Sequence, residues 1–229
     1  MKGSVIYVKG HAKSEEQASQ AQQSFAKYGW DVDLVEGVTP ETLDDSEWDV
    51  DCIEGGRLIG FQQKGERSYL TKKSCLTNHY RLWLKVIKSK RPMAFIEQDA
   101  ICCGPPPTSF TGDVLILNVD YAFLPPSVLG SLSRMHGYSP PASLTPTALP
   151  ADYPLKYYKN NVYKDHAMMP GTAAYVVTPR GAKKLLVAAM KHGIDQSDFF
   201  INNYNVEIEY ISPSPVKFNT VNLNLSHKL

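Results

Sequence analysis

Apolar positions along the chain switch between two periods, and the switches mark out its elements. Ser4 to Lys9 is a short run rich in β-formers. Trp30, Val32 and Leu34 alternate with Asp31 and Asp33, the two-residue repeat of a half-buried strand. Between them, Ser14 with Gln17 three positions later reads as a capping box that opens a helix ending near Gly29. Leu76, Tyr80, Trp83, Leu84 and Ile87 fall at helical spacing and predict an amphipathic helix over about 74–89. Met93–Ile96, Val114–Leu117 and Ala173–Thr178 are apolar runs as long as buried strands, and Val206–Ile211 reads as the last strand. Pro125-Pro126 is suited to open a helix, and Pro179 starts another with Ala182, Leu185, Leu186 and Ala189 inward. Two stretches show no period. Asp44–Asp51 is acidic and reads as a solvated loop, and residues 137–170, rich in proline, serine and tyrosine, read as a long irregular segment. Strands alternating with helices predict the α/β class, and no internal repeat is visible.

Composition narrows the possibilities. With 229 residues, 43% of them hydrophobic, the chain suits one sizeable domain over 1–229. Residues 1–120 are read as its ligand-binding half, and 121–229 as a second half containing the irregular segment. Twenty-four basic against 23 acidic residues leave a net charge of +1, without the basic excess of a dedicated nucleic-acid binder. No apolar stretch reaches the length of a membrane span, and Met1–Val8 has too short an apolar core for a signal peptide. The expected location is therefore the cytoplasm of a bacterium, or of a host cell if the chain is viral. The four cysteines (Cys52, Cys75, Cys102, Cys103) lack a paired metal spacing and read as free thiols.

The strongest chemical signal is Arg91–Asp99, where an apolar run ends in Glu97 and Asp99, separated by Gln98. Open α/β sheets bind ligands at the carboxyl ends of their strands. Two acids there repel each other and lose hydration unless a divalent cation lies between them and an anionic ligand. Strand alternation directs both to one side.

Three ordered segments resemble glycosyltransferase family 25, the lipopolysaccharide and collagen β-galactosyltransferase group. Cys75-Leu-Thr-Asn78-His79 looks like its Cys-x-x-Ser-His helix motif, and Phe95-Ile-Glu97-Gln98-Asp99 is similar to its strand ending in Glu-Asp-Asp. Gly171-Thr-Ala-Ala-Tyr175, followed by Ala182-Lys-Lys-Leu-Leu186, resembles its Gly-Thr-x-x-Tyr strand and Ala-x-x-Leu-Leu helix. The resemblance covers residues from about 70 to 204. Ser74 stands where the family usually has glycine, Asn78 where it has serine, and Gln98 where it has aspartate. It implies a GT-A fold, meaning a Rossmann-like mixed sheet flanked by helices. It also implies a UDP-hexose donor, galactose or glucose, a diphosphate bound through Mn²⁺ or Mg²⁺, and inversion at the sugar carbon.

Within that frame, Asp99 is the expected direct metal ligand. Glu97 lies on the metal, on a bound water or on the donor, and both acids are otherwise solvated turn residues. His227 is a third candidate ligand or else a frayed chain end. Asp198, next to Phe199 and Phe200, is the candidate general base, with an N-cap role as its alternative and Asp195 as the fallback. Lys9, Lys72, Asn78 and His79 are candidate donor contacts, with Lys73 and Arg81 as further phosphate partners, whereas Trp83 and Tyr175 belong to the core. Tyr153, Tyr157, Tyr158 and Tyr163 are placed to stack on a sugar acceptor or to lie on a surface loop. Two other readings stay open: a catalytically silent nucleotide-sugar or carbohydrate binder on the same fold, and a metal-dependent nucleotidyltransferase. Lack of a glycine-rich phosphate loop near the first strand counts against the latter.

Overall fold

The computed structural model describes residues 1–47, 66–120, 141–150, 173–192 and 197–219. In chain order the elements are β1 (Lys2–Tyr7), α1 (Ala12–Lys27), β2 (Asp31–Glu36), α2 (Glu66–Ser89), β3 (Met93–Glu97), β4 (Ala100–Cys102) and β5 (Val114–Ile116). They continue with β6 (Ser143–Ala148), β7 (Ala174–Val177), α3 (Pro179–His192), β8 (Ile208–Ser212) and β9 (Val216–Phe218). Single 3-10 turns occur at Asp45–Glu47 and Ser197–Phe199. The class is α/β, as the alternating pattern predicts.

Among the described residues, seven strands form a mixed sheet in the order β2-β1-β3-β7-β5-β8-β6. β1 runs parallel to both β2 and β3, with Val5 opposite Leu34 and Ile96. β7 enters antiparallel between β3 and β5, and Tyr175 faces Phe95 on one side and Ile116 on the other. β8 lies parallel to β5, and β6 closes the far edge antiparallel to β8. β4 and β9 pair separately as a short antiparallel ribbon.

Strand alternation divides the core in two. Met93 and Phe95 of β3 pack with Tyr175 and Val177 of β7 beneath α2 and α3. Ala94 and Ile96 pack with Ala174 and Val176 toward Ala18, Ala21 and Phe25 of α1. Continuing this alternation past the strand end separates Glu97 from Gln98, one toward α2 and the other toward α1.

Several local readings change. The cap of α1 is His11, whose Nδ1 accepts from the Ser14 amide at 3.3 Å, so Ser14 and Gln17 lie inside the helix and are buried. The helix does stop where expected, with Gly29 at φ +83°, a conformation only glycine adopts freely. α2 extends back to Glu66, ahead of the expected start near 74. Part of the acidic stretch is a 3-10 turn, because the Asp44 carboxylate accepts from the Ser46 amide at 2.9 Å and Arg81 pairs with Glu47. The irregular segment contains β6, which alternation missed because Pro146 and mainly polar side chains sit in an exposed edge strand that needs neither a second ladder nor a buried face. The helix expected after Pro125-Pro126 lies outside the described residues. No helix among the described residues is long and apolar enough to cross a membrane.

Asp113 joins three elements. Fully buried just before β5, its carboxylate accepts from Arg180 Nε and Lys184 Nζ on α3, each at 2.5 Å, and from the Glu207 amide ahead of β8 at 2.9 Å. Burial pushes its pKa up, but the bonds from Glu207, Lys184 and Arg180 outweigh that and hold it below the usual range. Asp113→Ala is expected to cost about 3 kcal/mol. That is the low end for a broken buried pair, because both cations remain partly exposed and can hydrate. A depressed folded pKa contributes stability above the unfolded carboxylate value and loses it as pH falls through the folded one. Thermal unfolding should therefore show the mutant deficit at pH 7 and a smaller one at pH 3.

Candidate active site

A cleft of about 770 Å³, counted to its open mouth, lies at the carboxyl ends of β1 and β3. One wall is Ile6, Tyr7 and Val8 with the Gly37–Pro40 segment that follows β2. The other is the α2 face bearing Thr71, Ser74, Cys75, Asn78 and His79, and Glu97, Gln98 and Asp99 close the floor beside Phe95. The first wall is mainly apolar, and the floor is acidic.

Asp99 is 7% exposed, and its Oδ1 is buried without a hydrogen-bond partner. Burial pushes its carboxyl up to about 6. Glu97 is raised well above the usual carboxylate range by burial, then by the charges of Asp99 and Asp198. Gln98 stands between the two acids, and α1 explains what it does there. Its Oε1 accepts from the Ser14 hydroxyl, which itself accepts from the Val8 amide at 2.8 Å. The neutral side chain therefore ties the acidic corner to the β1–α1 connection.

Among the described residues, no three His, Cys, Asp or Glu side chains stand close enough to hold a metal ion between them. Two carboxylates do face the cleft together, one with an orphaned buried oxygen. Hard oxygen donors of this kind suit Mn²⁺ or Mg²⁺, and a cation would relieve both the desolvation and the mutual repulsion that raise these two pKa values. The donor set fits a divalent ion to which a ligand or a further side chain adds coordination.

The α2 face is largely committed to holding the cleft. Asn78 Oδ1 accepts from the Val38 amide at 2.7 Å and its Nδ2 donates to the Val38 carbonyl at 3.3 Å, so its amide fixes the opposite wall. Gly37 on that wall is forced by close approach. A Cβ there would come within 2.9 Å of Ile6 Cγ2 and 3.2 Å of the Tyr7 carbonyl. His79 is buried, and burial lowers its pKa to about 3, so the ring is neutral. Its nitrogens meet Tyr175 Oη at 2.8 Å and Ser197 Oγ at 3.0 Å. Cys75 opens onto the cleft, yet its thiol is pushed up to about 12, by burial first and then by Glu97 and Asp198. Asp198 lies in the turn Ser197–Phe199, near enough to Glu97, Cys75 and Tyr175 to raise all three, and Phe200 behind it is fully buried.

Of the residues expected at the site, Glu97, Asp99, Asn78 and His79 line the cleft, and Asp198 stands within electrostatic reach of Glu97. Lys9 is exposed and paired with Glu36 at 3.1 Å, and Lys72 is half-buried on α2; neither lines the cleft. Lys73 is buried, and Arg81 is paired with Glu47. Trp83 and Tyr175 are fully buried, as core residues should be. Asp195, His227 and Tyr153, Tyr157, Tyr158 and Tyr163 lie outside the described residues. Sequence reasoning missed Ser14, Ser197 and the apolar wall of Ile6, Val38 and Pro40. Nothing in a local pattern marks these residues, because each acquires its role from a partner distant in the chain.

Compared with known protein families and with curated proteins, the chain matches none.

Proposed function

We propose that the cleft is the donor site of a metal-dependent, inverting glycosyltransferase of the GT-A type. It moves a hexose from a UDP-sugar to an acceptor hydroxyl. One observation carries this reading: Glu97 and Asp99 close the floor of a cleft whose opposite wall is apolar, and Asp198, from a distant segment, stands within electrostatic reach of Glu97. The parallel trio β2-β1-β3, with its acids at the carboxyl end of β3, further supports a Rossmann-like nucleotide site.

In this reading Ile6, Val38 and Pro40 cover the flat base and exclude water from it. Asp99 and Glu97 would hold Mn²⁺ or Mg²⁺, with His227 as the third protein ligand. When bound, the cation screens the diphosphate and stabilises negative charge on the departing nucleotide. Asp198 takes the proton of the acceptor hydroxyl as its oxygen attacks the sugar carbon from the face opposite UDP, which inverts that carbon.

A panel of UDP-sugars, incubated with Mn²⁺ or with chelator, tests the reading without knowledge of the acceptor, because water can replace the acceptor hydroxyl. Slow release of UDP from a hexose donor, in Mn²⁺ only, is expected. UDP binding with no hydrolysis of any sugar would instead identify a silent binder on this framework.

A further inference from the structure

His79 sits in a stack of rings, its centroid 3.7 Å from Phe95 and 5.8 Å from Tyr175, and both of its nitrogens are engaged. Trp83 Nε1 donates to the Tyr175 oxygen at 2.9 Å. Burial keeps the Tyr175 hydroxyl protonated, and that proton goes to His79 Nδ1. The ring proton then resides on Nε2 and is donated to Ser197 Oγ. The order Trp83, Tyr175, His79, Ser197 uses each hydrogen once. Its last link spans 118 positions of chain and reaches the residue immediately before Asp198.

We propose that His79 is a positioning residue: through the hydrogen bond between its Nε2 and Ser197 Oγ it pins Ser197 against α2 and thereby holds the next residue, Asp198, in place. The stack of His79 with Phe95 and Tyr175 sets the direction in which its Nε2 faces Ser197. Nothing about this placement depends on a donor sugar. Its consequence for transfer rests on Asp198 being the base, as proposed above.

Cys75 supplies a readout independent of activity, since burial first, and then the charges of Glu97 and Asp198, hold its thiolate population down. Alkylation by iodoacetamide at about pH 8.5 in chelator, followed at Cys75 by mass spectrometry, reports how near Asp198 lies. Asp198→Asn sets the reference rise in rate. His79→Phe keeps a stacking ring without its hydrogen bonds, and Ser197→Ala removes only the terminal acceptor. Each is expected to raise the rate in the direction of the Asp198→Asn reference, by up to about the same factor. Each should add little in the Asp198→Asn background. No rise in a folded variant, or a rise undiminished in that background, would overturn the positioning role. If His79→Phe does not fold, Ser197→Ala decides alone. Both variants should also lower UDP-sugar hydrolysis with UDP affinity unchanged. Faster alkylation without lost turnover would leave the positioning intact and move the base elsewhere.

Discussion

Asp198→Asn should reduce UDP-sugar turnover by about 10²–10⁴, the contribution of a positioned general base, and leave donor affinity nearly unchanged. Asparagine keeps the shape and much of the hydrogen bonding of aspartate but cannot take a proton. Asp198 is the second residue of the Ser197–Phe199 turn, so a helix cap does not account for it. A purely structural role predicts wild-type turnover, because Asn sustains such turns about as well as Asp. Steady-state kinetics beside UDP titration separate the two outcomes. Retained turnover here with collapse in Asp195→Asn would move the assignment by three residues.

Asp99→Asn should have opposite effects on stability and on function. Burial pushes the folded carboxyl up to about 6 from an ordinary 3.8. Between those values the native state holds more protons than the unfolded one, so stability falls as pH rises through that window. Removing the charge should therefore stabilise the metal-free protein at pH 7 by about 2 kcal/mol, with little difference at pH 4. The same change removes a hard anionic ligand, so Mn²⁺ should no longer strengthen UDP binding. Denaturant unfolding in chelator at the two pH values checks the first effect. A variant less stable than wild type at both would mean that the carboxylate is already compensated by protein.

Much of the sheet was legible because its strands obey simple periods. β3, β7 and the core of β5 are continuous apolar runs buried on both faces. The alternation read into β2 holds only at its start: Val32 is buried between exposed Asp31 and Asp33, but Leu34 is 40% exposed and Val35 half-buried, because β2 is an edge strand of the sheet. β4, β6 and β9 were not legible, and Val206–Ile211, read as the last strand, is followed by β9. β4 and β9 are three residues long and pair only with each other, and β6 is a polar edge strand specified by its partner β8 rather than by its own pattern. The α1 cap failed for a related reason. Ser14 had the right spacing for a capping box, but tertiary partners claim its hydroxyl: the Val8 amide and Gln98. At the site, the acid-x-acid strand exit was visible because an apolar run ending in two acids is locally anomalous. Asn78 and His79 were recognised as cleft residues, but not for what they bind. Their partners, Val38 and Ser197, are 40 and 118 positions away.

Calorimetric titration of UDP into the wild-type protein, in Mn²⁺ and then in chelator, tests the metal-bridged nucleotide site most directly. The acidic floor beside an apolar wall predicts marked tightening in Mn²⁺ and weak binding without it, with the gain abolished in Asp99→Ala. Equal UDP affinity in Mn²⁺ and in chelator would contradict it.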